Sequence, residues 1–595
     1  MKADSAPLKT LFVKDIRYVV PLYQRPYVWT REDKWEPLWQ DVLNVVRDLG
    51  VADANTPPPP HFLGAIVLDS KWGQIADLEV RHIIDGQQRL VTLQLLISAA
   101  ATVAAATGCE QSANILAGLI ENDNNLWTDA DHRFKVWPTN VDRPAYRAAM
   151  NGGQVTSREG QRIWQAHQYF LSVMAGWAED LGEGINDGFR LLTRALRDYL
   201  RLVVIDLEIG DNAQIIFETL NARTTPLLSI DLIKNLVFRR AEREGENLDE
   251  LYVTYWSVFD QEQWRREIRQ GRLKLPRAEI FLMHWLAMKT ADEVSPSRLY
   301  SGFQRLLDGP AAAKVATTVE QFHGDSVVYD SFETQPLGTP ERTFFDRISA
   351  LDVSTVFPLL LLVFREDETV LSMATRRRAL KALESWLVRR TLCRLTPKNY
   401  NRFFTDLVRT VKKDLAHIDE VLIRTLRQGD APTTKWPSDE ELTEALVHHP
   451  LYWNVAGARI VMVLAAVEQA FRDPKKAEDL AVPKSLTIEH VLPQRWQEHW
   501  PVSEGDVTAE SERERHVNRL GNLTLVTSTL NPAMANRAWP EKRKELGKSL
   551  LLLNRRLCDE NLEIWDEERI DQRSQELSSR IVEIWAGPDS TSWLS

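Results

Sequence analysis

The length of the chain is the strongest constraint on its fold, because 595 residues cannot pack around one hydrophobic core. Single cores stop growing at roughly 250 to 300 residues, and longer chains divide into domains of about 100 to 200 residues. No apolar run reaches the roughly 18 residues that a membrane-spanning helix needs, and the opening "MKADSAPLKT" lacks the pattern of a signal peptide. Three or four domains of a cytoplasmic protein without a membrane partner are therefore expected.

Cysteine usage and charge narrow the kinds of site that the chain can build. Its three cysteines, Cys109, Cys393 and Cys558, are far apart and form no CxxC pair, which argues against a disulfide framework and a cysteine-built zinc site. Any metal should therefore be bound by oxygen and imidazole ligands. The net charge of -11 argues mildly against general affinity for nucleic acid, although a local basic surface can still bind phosphate.

The hydrophobic pattern changes twice along the chain and so predicts three domains. Residues 1–240 mix short apolar runs, such as "FLGAIVL" and "RLVVIDLEI", with longer helical stretches, which indicates an α+β domain. Residues 241–430 carry apolar residues at spacings of three and four, which indicates a mainly α-helical middle domain. A stretch rich in Gly, Pro and polar residues near 428–440 precedes a third, helical domain at residues 431–595.

Arginines concentrate in two stretches of the middle domain. Residues 376–394 contain a single acidic residue, Glu384, and residues 265–277 contain only Glu267. A solvated helix face and a surface that follows DNA phosphates explain this pattern equally well, and a nuclease site elsewhere in the chain would favour the second explanation. The candidates for DNA contact are Arg376, Arg377, Arg389 and Arg390.

Two short strands and a helix start in the third domain carry side chains that suit phosphodiester hydrolysis. "SLTIEH" predicts a strand ending in Glu489 and His490, and "GNLTLVT" predicts a second strand begun by Asn522. His490 would act as the general base, and Asn522 could orient its ring by accepting the other imidazole N–H. Asn531 lies where "NPAMANRAW" begins a helix, and with Glu489 it could hold one Mg²⁺ or Mn²⁺, because such an ion needs few protein ligands.

The order of these segments resembles a known family of nucleases. "EHVLPQ", then "LGNLTLVTSTLN", then "NRAWPEKRK", is similar to the HNH, or His-Me finger, nuclease domain at the C-terminus of GmrSD-type restriction endonucleases. The resemblance spans about residues 440–590 and implies a ββα-metal motif in which His490 is the base and Glu489 and Asn531 bind the metal. Lys542 matches a recurrent lysine of that family, for which phosphate contact is the expected role. Without the resemblance, Glu489 and His490 could equally be a solvated strand end, and Asn522 and Asn531 could be ordinary turn and cap residues.

A second polar cluster, "IIDGQQRL", follows an apolar run in the first domain. The run predicts a strand that ends near Ile84, and a helix that begins near Gln87 would direct free backbone N–H groups outward, which favours a bound anion. Arg89 in the first helical turn opposes the helix dipole unless an anion lies beside it; a surface turn in which Arg89 pairs with a carboxylate is the alternative. The candidate nucleotide-binding residues in this cluster are Asp85, Gly86, Gln87, Gln88 and Arg89.

A third cluster, "VPLYQRPYVW", places Tyr23, Gln24 and Arg25 between apolar residues, and Pro26 keeps Arg25 extended. An aromatic ring here could stack on a base while Arg25 contacts a phosphate, and packing of the aromatic residues in a core is the alternative. The chain has no GxxxxGK[ST] loop, so nucleotide binding cannot depend on a Walker site.

The second and third clusters together resemble the ParB-like N-terminal domain of the same GmrSD-type proteins, whose Asp-Gly-Gln-Gln-Arg motif is unchanged here. The resemblance covers about residues 10–240 and implies binding and hydrolysis of a nucleoside triphosphate, with GTP, UTP, CTP and ATP all open, and sensing of modified DNA. It includes "IFETLNARTTPLLSIDLIKN", where Asn221 and Asp231 would support the nucleotide site. Thr224 stands where relatives often have Gly, and its β-branched side chain disfavours positive φ, so this loop can adopt another conformation.

The combined prediction is a modification-dependent, type IV restriction endonuclease that defends against phage. The first domain would use an NTP and recognise modified double-stranded DNA, and the HNH domain would cut the backbone with one divalent metal. Two alternatives stay open: a nicking nuclease that senses phosphorothioate DNA with a partner modification system, and an NTP-switched DNA-binding protein whose HNH site is structural. A monomer and a homodimer are both compatible with the sequence.

Overall fold

The computed structural model describes residues 2–22, 24–52, 57–75, 78–127, 129–153, 161–207, 228–271, 273–310, 313–472, 485–503, 506–534, 536–559 and 563–593. The chain forms two compact units, Met1–Thr254 and Tyr255–Ser595. Each unit contains a hydrophobic core of its own. The division into three domains at residues 240 and 430 stays a prediction.

A mixed sheet organises the first unit. Its strands within the described ranges are β1 (Lys2–Pro7), β2 (Ile16–Val19), β3 (His61–Ile75), β4 (Leu78–Asp85), β5 (Val136–Trp137) and β6 (Leu200–Leu207). They lie in the order β1-β6-β3-β4-β2-β5; β3 is parallel to β6 and antiparallel to β4. Asp85 at the end of β4 is paired with Val67 of β3, which places the "IIDGQQRL" cluster beside the middle of the sheet. The predicted α+β character of this region is confirmed.

Helices surround the central part of the first unit, and the longest apolar one lies inside it. The helices are α1 (Leu8–Phe12), α2 (Glu36–Val51), α3 (Gln87–Ala106), α4 (Glu110–Ala117), α5 (Arg143–Met150), α6 (Gln161–Leu181), α7 (Ile185–Arg194), α8 (Ser229–Glu244) and α9 (Leu248–Leu251). Helix α3 is long and apolar enough to cross a membrane by composition, but 72% of its apolar window is buried within the protein. A helix that is apolar on all sides and buried in this way forms part of a core.

The second unit is mostly helical, as the spacing of apolar residues predicts for 241–430. Its helices are α10 (Glu262–Arg265), α11 (Arg277–Thr290), α12 (Leu299–Asp308), α13 (Val315–Thr334), α14 (Pro340–Leu351), α15 (Phe357–Arg365), α16 (Met373–Leu392), α17 (Tyr400–Val411), α18 (Ile418–Arg427), α19 (Asp439–His448), α20 (Leu451–Asn454), α21 (Gly457–Phe471), α22 (Val507–Val517), α23 (Asn531–Met534), α24 (Trp539–Leu546), α25 (Leu552–Asp559) and α26 (Glu567–Ile584). Two antiparallel strand pairs interrupt them. These are β7 (Glu267–Gln270) with β8 (Leu273–Pro276), which the sequence did not predict, and β9 (Leu486–His490) with β10 (Leu523–Thr527).

Helix α26 packs directly on the start of β10. The Gly521 N–H donates to Ser574 Oγ at 2.9 Å, and a Cβ at Gly521 would lie only 1.9 Å from the Ile570 carbonyl oxygen. Arg573 Nη1 donates to the carbonyl oxygens of Gly521 and Leu523 at 2.5 and 2.8 Å. Only glycine leaves room for this approach of two backbones. The position of β10 therefore depends on α26.

Candidate functional site

The predicted order of strand, strand and helix occurs in the C-terminal part of the second unit. Strands β9 and β10 pair in register, with His490 opposite Leu523 and Glu489 opposite Thr524. Helix α23 begins at Asn531, where the sequence places the start of a helix. Asn531 Nδ2 donates to Thr487 Oγ1 at 2.9 Å and to the Ile488 carbonyl oxygen at 3.4 Å. The start of α23 is therefore attached to β9, the strand that carries Glu489 and His490.

His490 is a buried imidazole with an unused nitrogen. Its side chain is 8% exposed, and within the described residues its Nε2 atom has no hydrogen-bond partner of normal geometry, although the side chain of Asn518 lies near the ring. The half-exposed ring of Tyr452 meets it edge-on, with ring centroids 4.5 Å apart. Burial, assisted by the nearby Lys542 ammonium and opposed by Asn518, lowers the pKa of His490 to about 4. The ring is thus neutral at physiological pH and can accept a proton.

Lys542 lies beneath His490 in the interior. The ammonium of this fully buried residue is 2.5 Å from Glu489 Oε1 and 2.5 Å from the His490 carbonyl oxygen. Burial raises the pKa of Glu489 and lowers the pKa of Lys542, while the ion pair between them opposes both shifts. The predicted contact of Lys542 with a phosphate is therefore wrong for this conformation, because the ammonium is inside the protein. Lys542 instead fixes the end of β9.

Asn522 does not orient the imidazole as the sequence predicts. Its Oδ1 already accepts the Leu492 N–H at 2.7 Å and the Trp565 indole N–H at 3.0 Å. Its Nδ2 donates to the carbonyl oxygens of Leu492 and Val517, both at 2.8 Å. With both amide atoms occupied, the fully buried Asn522 clamps the backbone that follows His490. Its contribution to the site is to hold the chain in place.

The oxygen donors expected to hold a divalent ion form a small set. Glu489 Oε2 and Asn531 Oδ1 have no hydrogen-bond partner in the described chain, and Asn531 is attached to Thr487, which lies on the same face of β9 as Glu489. No group of three or more His, Cys, Asp or Glu side chains in the described ranges could hold a metal. One carboxylate and one amide oxygen fit Mg²⁺, which keeps several waters, but not a fully protein-ligated ion.

In the first unit the two predicted nucleotide-binding clusters meet. Gln24 Nε2 donates to the Ile84 carbonyl oxygen at 3.0 Å, and Gln87 Nε2 donates to the Arg25 carbonyl oxygen at 3.2 Å. Gln88 bridges in both directions: its Nε2 donates to the Pro26 carbonyl oxygen and its Oε1 accepts the Val28 N–H. The glutamines therefore attach residues 24–28 to the joint between β4 and α3.

Asp142 holds the same segment from the other side. This buried carboxylate accepts the Tyr27 N–H and the Thr139 hydroxyl through Oδ2, both at 2.8 Å. Burial raises the pKa of Asp142 to about 6, and the two hydrogen bonds oppose this shift. The segment that carries Gln24 and Arg25 is consequently fixed by buried polar contacts along both edges.

The strand-to-helix joint itself has the predicted form. Gly86 has φ of 88° and precedes α3, where no side chain caps the helix, so the first backbone N–H groups of α3 are available to an anion. Arg89 donates to the Ala65 carbonyl oxygen of β3, and its guanidinium lies 2.9 Å from the place that a Cβ on Gly64 would take. Burial lowers the pKa of Arg89, with Asp85 opposing. The guanidinium therefore binds the main chain of β3 close to the joint, because a Cβ on Gly86 would lie only 3.2 Å from the same Ala65 oxygen.

The remaining charges around this joint belong to Arg25 and Asp85. Both side chains are half-buried, and Arg25 forms no ion pair in the described chain. Asp231 is buried on α8, next to Leu232, which packs against Ile84 of β4. Tyr23 and Asn221, the other candidates for nucleotide contact, lie outside the described residues, as does Thr224.

The comparison with known protein families gives two matches. Residues 8–238 match the N-terminal domain of GmrSD restriction endonucleases, and residues 436–580 match their C-terminal domain. The chain belongs to the GmrSD restriction endonuclease family. No curated protein matches it. Both polar clusters described above lie inside the matched regions, and DNA is the partner that membership of this GmrSD family implies.

The arginines that the sequence offered as DNA contacts are engaged within this GmrSD protein. Arg389 and Arg390 have no exposed surface; Arg389 Nε donates to the Trp585 carbonyl oxygen at 2.6 Å, and Arg390 Nε donates to Tyr400 Oη at 2.9 Å. Arg376 is buried, and Arg377 pairs with Glu341. The prediction of DNA contact is therefore wrong for Arg376, Arg389 and Arg390, because a buried guanidinium that bonds main-chain carbonyls cannot reach a phosphate.

Several residues of the C-terminal site of this GmrSD protein were not predicted. Tyr452 packs on the imidazole, and its backbone N–H donates to the Asn518 carbonyl oxygen at 3.0 Å. Trp453, the next residue, is 56% exposed, which is unusual for so large an apolar side chain. In the sequence the pair "YW" near 452 had no motif to mark it. Its only signal was two adjacent aromatic residues between Leu451 and Asn454.

Proposed function

We propose that this restriction endonuclease is a modification-dependent, type IV enzyme that cleaves modified double-stranded DNA in the cytoplasm as a defence against phage. The observation that carries the assignment of the cutting site is the buried His490, whose Nε2 has no hydrogen-bond partner of normal geometry in the described residues, at the end of the strand that carries Glu489 and to which Asn531 is bonded. A buried polar atom without a partner costs free energy, and such an atom on a titratable ring at the end of a strand that carries a carboxylate is a candidate for a reacting group.

In the proposed reaction His490 acts as the general base. Its Nε2 takes a proton from the water that attacks phosphorus, and the neutral ring has the capacity to do so. Lys542 and Asn522 keep β9 and the following backbone in position, so that the ring is directed toward one point. Glu489 and Asn531 would hold Mg²⁺ or Mn²⁺, which would stabilise the negative charge that grows on the phosphate and on the leaving oxygen.

The first unit would serve as an NTP-dependent sensor. The uncapped start of α3 offers backbone N–H groups to a phosphate, and Arg25, whose carbonyl oxygen is bonded by Gln87 of the first helical turn, would supply a cation. Asp85 would act on the water or on the ion that accompanies the phosphates. Because residues 24–28 and the helix start are joined by glutamine side chains, a nucleotide that binds between them would contact both segments together.

Cleavage of a DNA panel by the purified protein tests this proposal. Unmodified, glucosylated and phosphorothioated DNA would each be incubated with Mg²⁺, Mn²⁺ or a chelator, with and without each NTP. We expect cutting of glucosylated DNA that depends on the divalent ion and changes with one NTP. Equal cutting of all three DNAs would contradict modification dependence, cutting in chelator would contradict the metal, and preference for phosphorothioate would support the alternative nicking enzyme.

A further inference from the structure

The short helix α20 presents an exposed aromatic pair in the C-terminal part of the second unit. Tyr452 and Trp453 are 37% and 56% exposed, whereas Leu451 before them and Val455 after them are buried. An aromatic side chain can cover about 150 to 250 Å² of contact surface, and tryptophan is on average highly buried in folded proteins. The proposed reaction gives neither ring a role, so the pair is an apolar surface without an assigned function.

Helix α20 holds the pair on a fixed main chain. The Tyr452 N–H donates to the Asn518 carbonyl oxygen at 3.0 Å, and Asn454 Nδ2 donates to the Pro450 carbonyl oxygen at 2.6 Å. Aromatic side chains have only two rotatable bonds, so they form contacts at a low cost in conformational entropy. The rings are therefore suited to bind a partner that comes to this surface.

Tyr452 connects this surface to the proposed base. Its ring meets the His490 imidazole edge-on, with centroids 4.5 Å apart, and is still accessible from outside. A general base acts within hydrogen-bond reach of the attacking water, which lies about 3 to 3.5 Å from the atom it attacks. The strand that is cut must therefore come close to the imidazole, and its next nucleotides, each rising about 3.4 Å along the duplex, extend over the neighbouring surface. Trp453 is the next residue in the chain and the more exposed of the pair.

The segment around the pair carries no acidic residue. Residues 445–467 contain no Asp or Glu, although the whole chain has 84 acidic residues among 595. The same segment contains Arg459 and two exposed histidines, His448 and His449. A phosphate strand that crosses α20 therefore meets no carboxylate from the segment to which the pair belongs, and its repulsion there is low. DNA is the partner that membership of the family implies, and it fits an apolar surface that lacks negative charge.

We propose that Trp453 packs on a nucleotide of the DNA substrate next to the phosphate that is cut at His490. The flat indole matches the planar face of a base, and such contacts tolerate any sequence because every base has a π-face. The contact therefore adds affinity at the cutting site for modified and unmodified DNA alike. The inference rests on the proposed function, since it takes His490 as the point of cleavage.

Equilibrium binding of short labelled duplexes to the full-length protein, in Ca²⁺ with the four NTPs present, tests this contact. One duplex contains glucosylated 5-hydroxymethylcytosine and the other contains plain cytosine. Trp453→Ala removes the ring, and Trp453→Phe keeps a flat ring. Leu337→Ala is the matched control, because Leu337 is 75% exposed in the same unit but lies outside the C-terminal domain at 436–580. Urea titration and sedimentation velocity check the fold and the oligomeric state of each variant.

Trp453→Ala should bind both duplexes about 5- to 150-fold more weakly than the wild type, as expected for the loss of one base–aromatic contact. The slope of log K against log salt should be unchanged, because no phosphate contact is removed. Cleavage in Mg²⁺ at saturating DNA should change much less than the affinity, since the contact forms before and during the reaction alike. Trp453→Phe and Leu337→Ala should stay close to the wild type, and the urea midpoints should all agree.

Unchanged affinity in Trp453→Ala would overturn the inference and leave cleavage at His490 standing. A weaker affinity that comes with a lower urea midpoint, or with loss of a dimer, would also overturn it, because the ring would then support the fold or an interface between copies. Failure of the wild type to bind either duplex would overturn it as well. If His490→Ala cuts as well as the wild type, the proposed cutting site itself fails, and a wild type without preference between the duplexes contradicts modification dependence alone.

Discussion

The two polar clusters of this GmrSD protein use similar residues in opposite ways. Around Gly86 the amides of Gln24, Gln87 and Gln88 all bond main-chain atoms, and the cluster is built to hold a loop on a helix start. Around His490 the amide of Asn522 and the ammonium of Lys542 are equally well bonded, but within the described residues the imidazole Nε2 has no hydrogen-bond partner of normal geometry. In these two clusters the amides that hold the main chain are bonded, whereas the nitrogen proposed to take a proton is not.

The sharpest test of this comparison is His490→Ala. We expect cleavage of modified DNA to fall by about 10²- to 10⁴-fold, because a general base is lost. The urea midpoint of the second unit should be unchanged or higher, since an unpaired buried nitrogen is removed. His499→Ala, a partly exposed histidine of the same region, should retain full cleavage. Cleavage that survives in His490→Ala would remove the distinction between the reacting and supporting residues.

Asn522→Ala should show the reverse pattern. Four buried polar groups lose their partners, on Leu492, Val517 and Trp565, and each costs about 1 to 3 kcal/mol when left unpaired. The free energy of unfolding from urea titration should fall by at least about 3 kcal/mol. Asn518→Ala, a buried asparagine whose Nδ2 donates to the Glu514 carbonyl oxygen and whose side chain lies near the His490 ring, should lose only about 1 kcal/mol. Equal losses in the two variants would contradict the clamping role of Asn522.

Asp142 predicts a pH dependence for the stability of the first unit. Its folded pKa is about 6, against 3.8 for an unfolded aspartate, so between these values the folded state binds a proton that the unfolded state has released. Stability should therefore fall by about 2 to 3 kcal/mol as the pH rises from 4 to 6, and then level off. Asp142→Asn should remove this slope, whereas Asp180→Asn, an exposed position on α6, should keep it. Calorimetry across this pH range would measure both.

The smallest expected effect belongs to Gln88→Ala. Loss of the bonds to Pro26 and Val28 should destabilise the first unit by about 1 to 2 kcal/mol, because both main-chain partners become unpaired. Gln111→Ala, exposed on α4, should change stability by less than about 0.5 kcal/mol. Urea titration of the two variants provides the measurement. A Gln88→Ala protein as stable as Gln111→Ala would show that the loop is held by other contacts.

The sequence predicts those parts of the fold and of the candidate sites that depend on residues close together in the chain, and it does not predict those that depend on residues far apart. The joint at Gly86 and the strands at Glu489 and Asn522 depend on neighbours along the chain, and the sequence predicts them well. Arg389 and Arg390 depend on carbonyl oxygens of residues such as Trp585 and Lys435, which the fold brings from 45 to 196 residues away. No local pattern shows that these guanidinium groups are buried.

The same limit applies inside the candidate cutting site. Resemblance to the family directed attention to Lys542 and Asn522. The residue types alone did not show that Lys542 is buried in an ion pair and does not contact a phosphate in this structure. Nor did they show that Asn522 bonds the main chain and not the imidazole. Those distinctions depend on burial and on which atoms are already bonded. Tyr452 joins the site through tertiary packing on His490, with no sequence motif to mark it.

The attachment of α26 to Gly521 has a consequence for the timing of synthesis. Strands β9 and β10 leave the ribosome before residues 567–584, yet the main chain of Gly521 and Leu523 is bonded by Ser574 and Arg573. The two strands therefore lack their support until α26 has been translated and has docked. The proposed cutting site of a nascent chain is therefore complete only after residues 567–584 have been translated, when all of the first unit has already been synthesised.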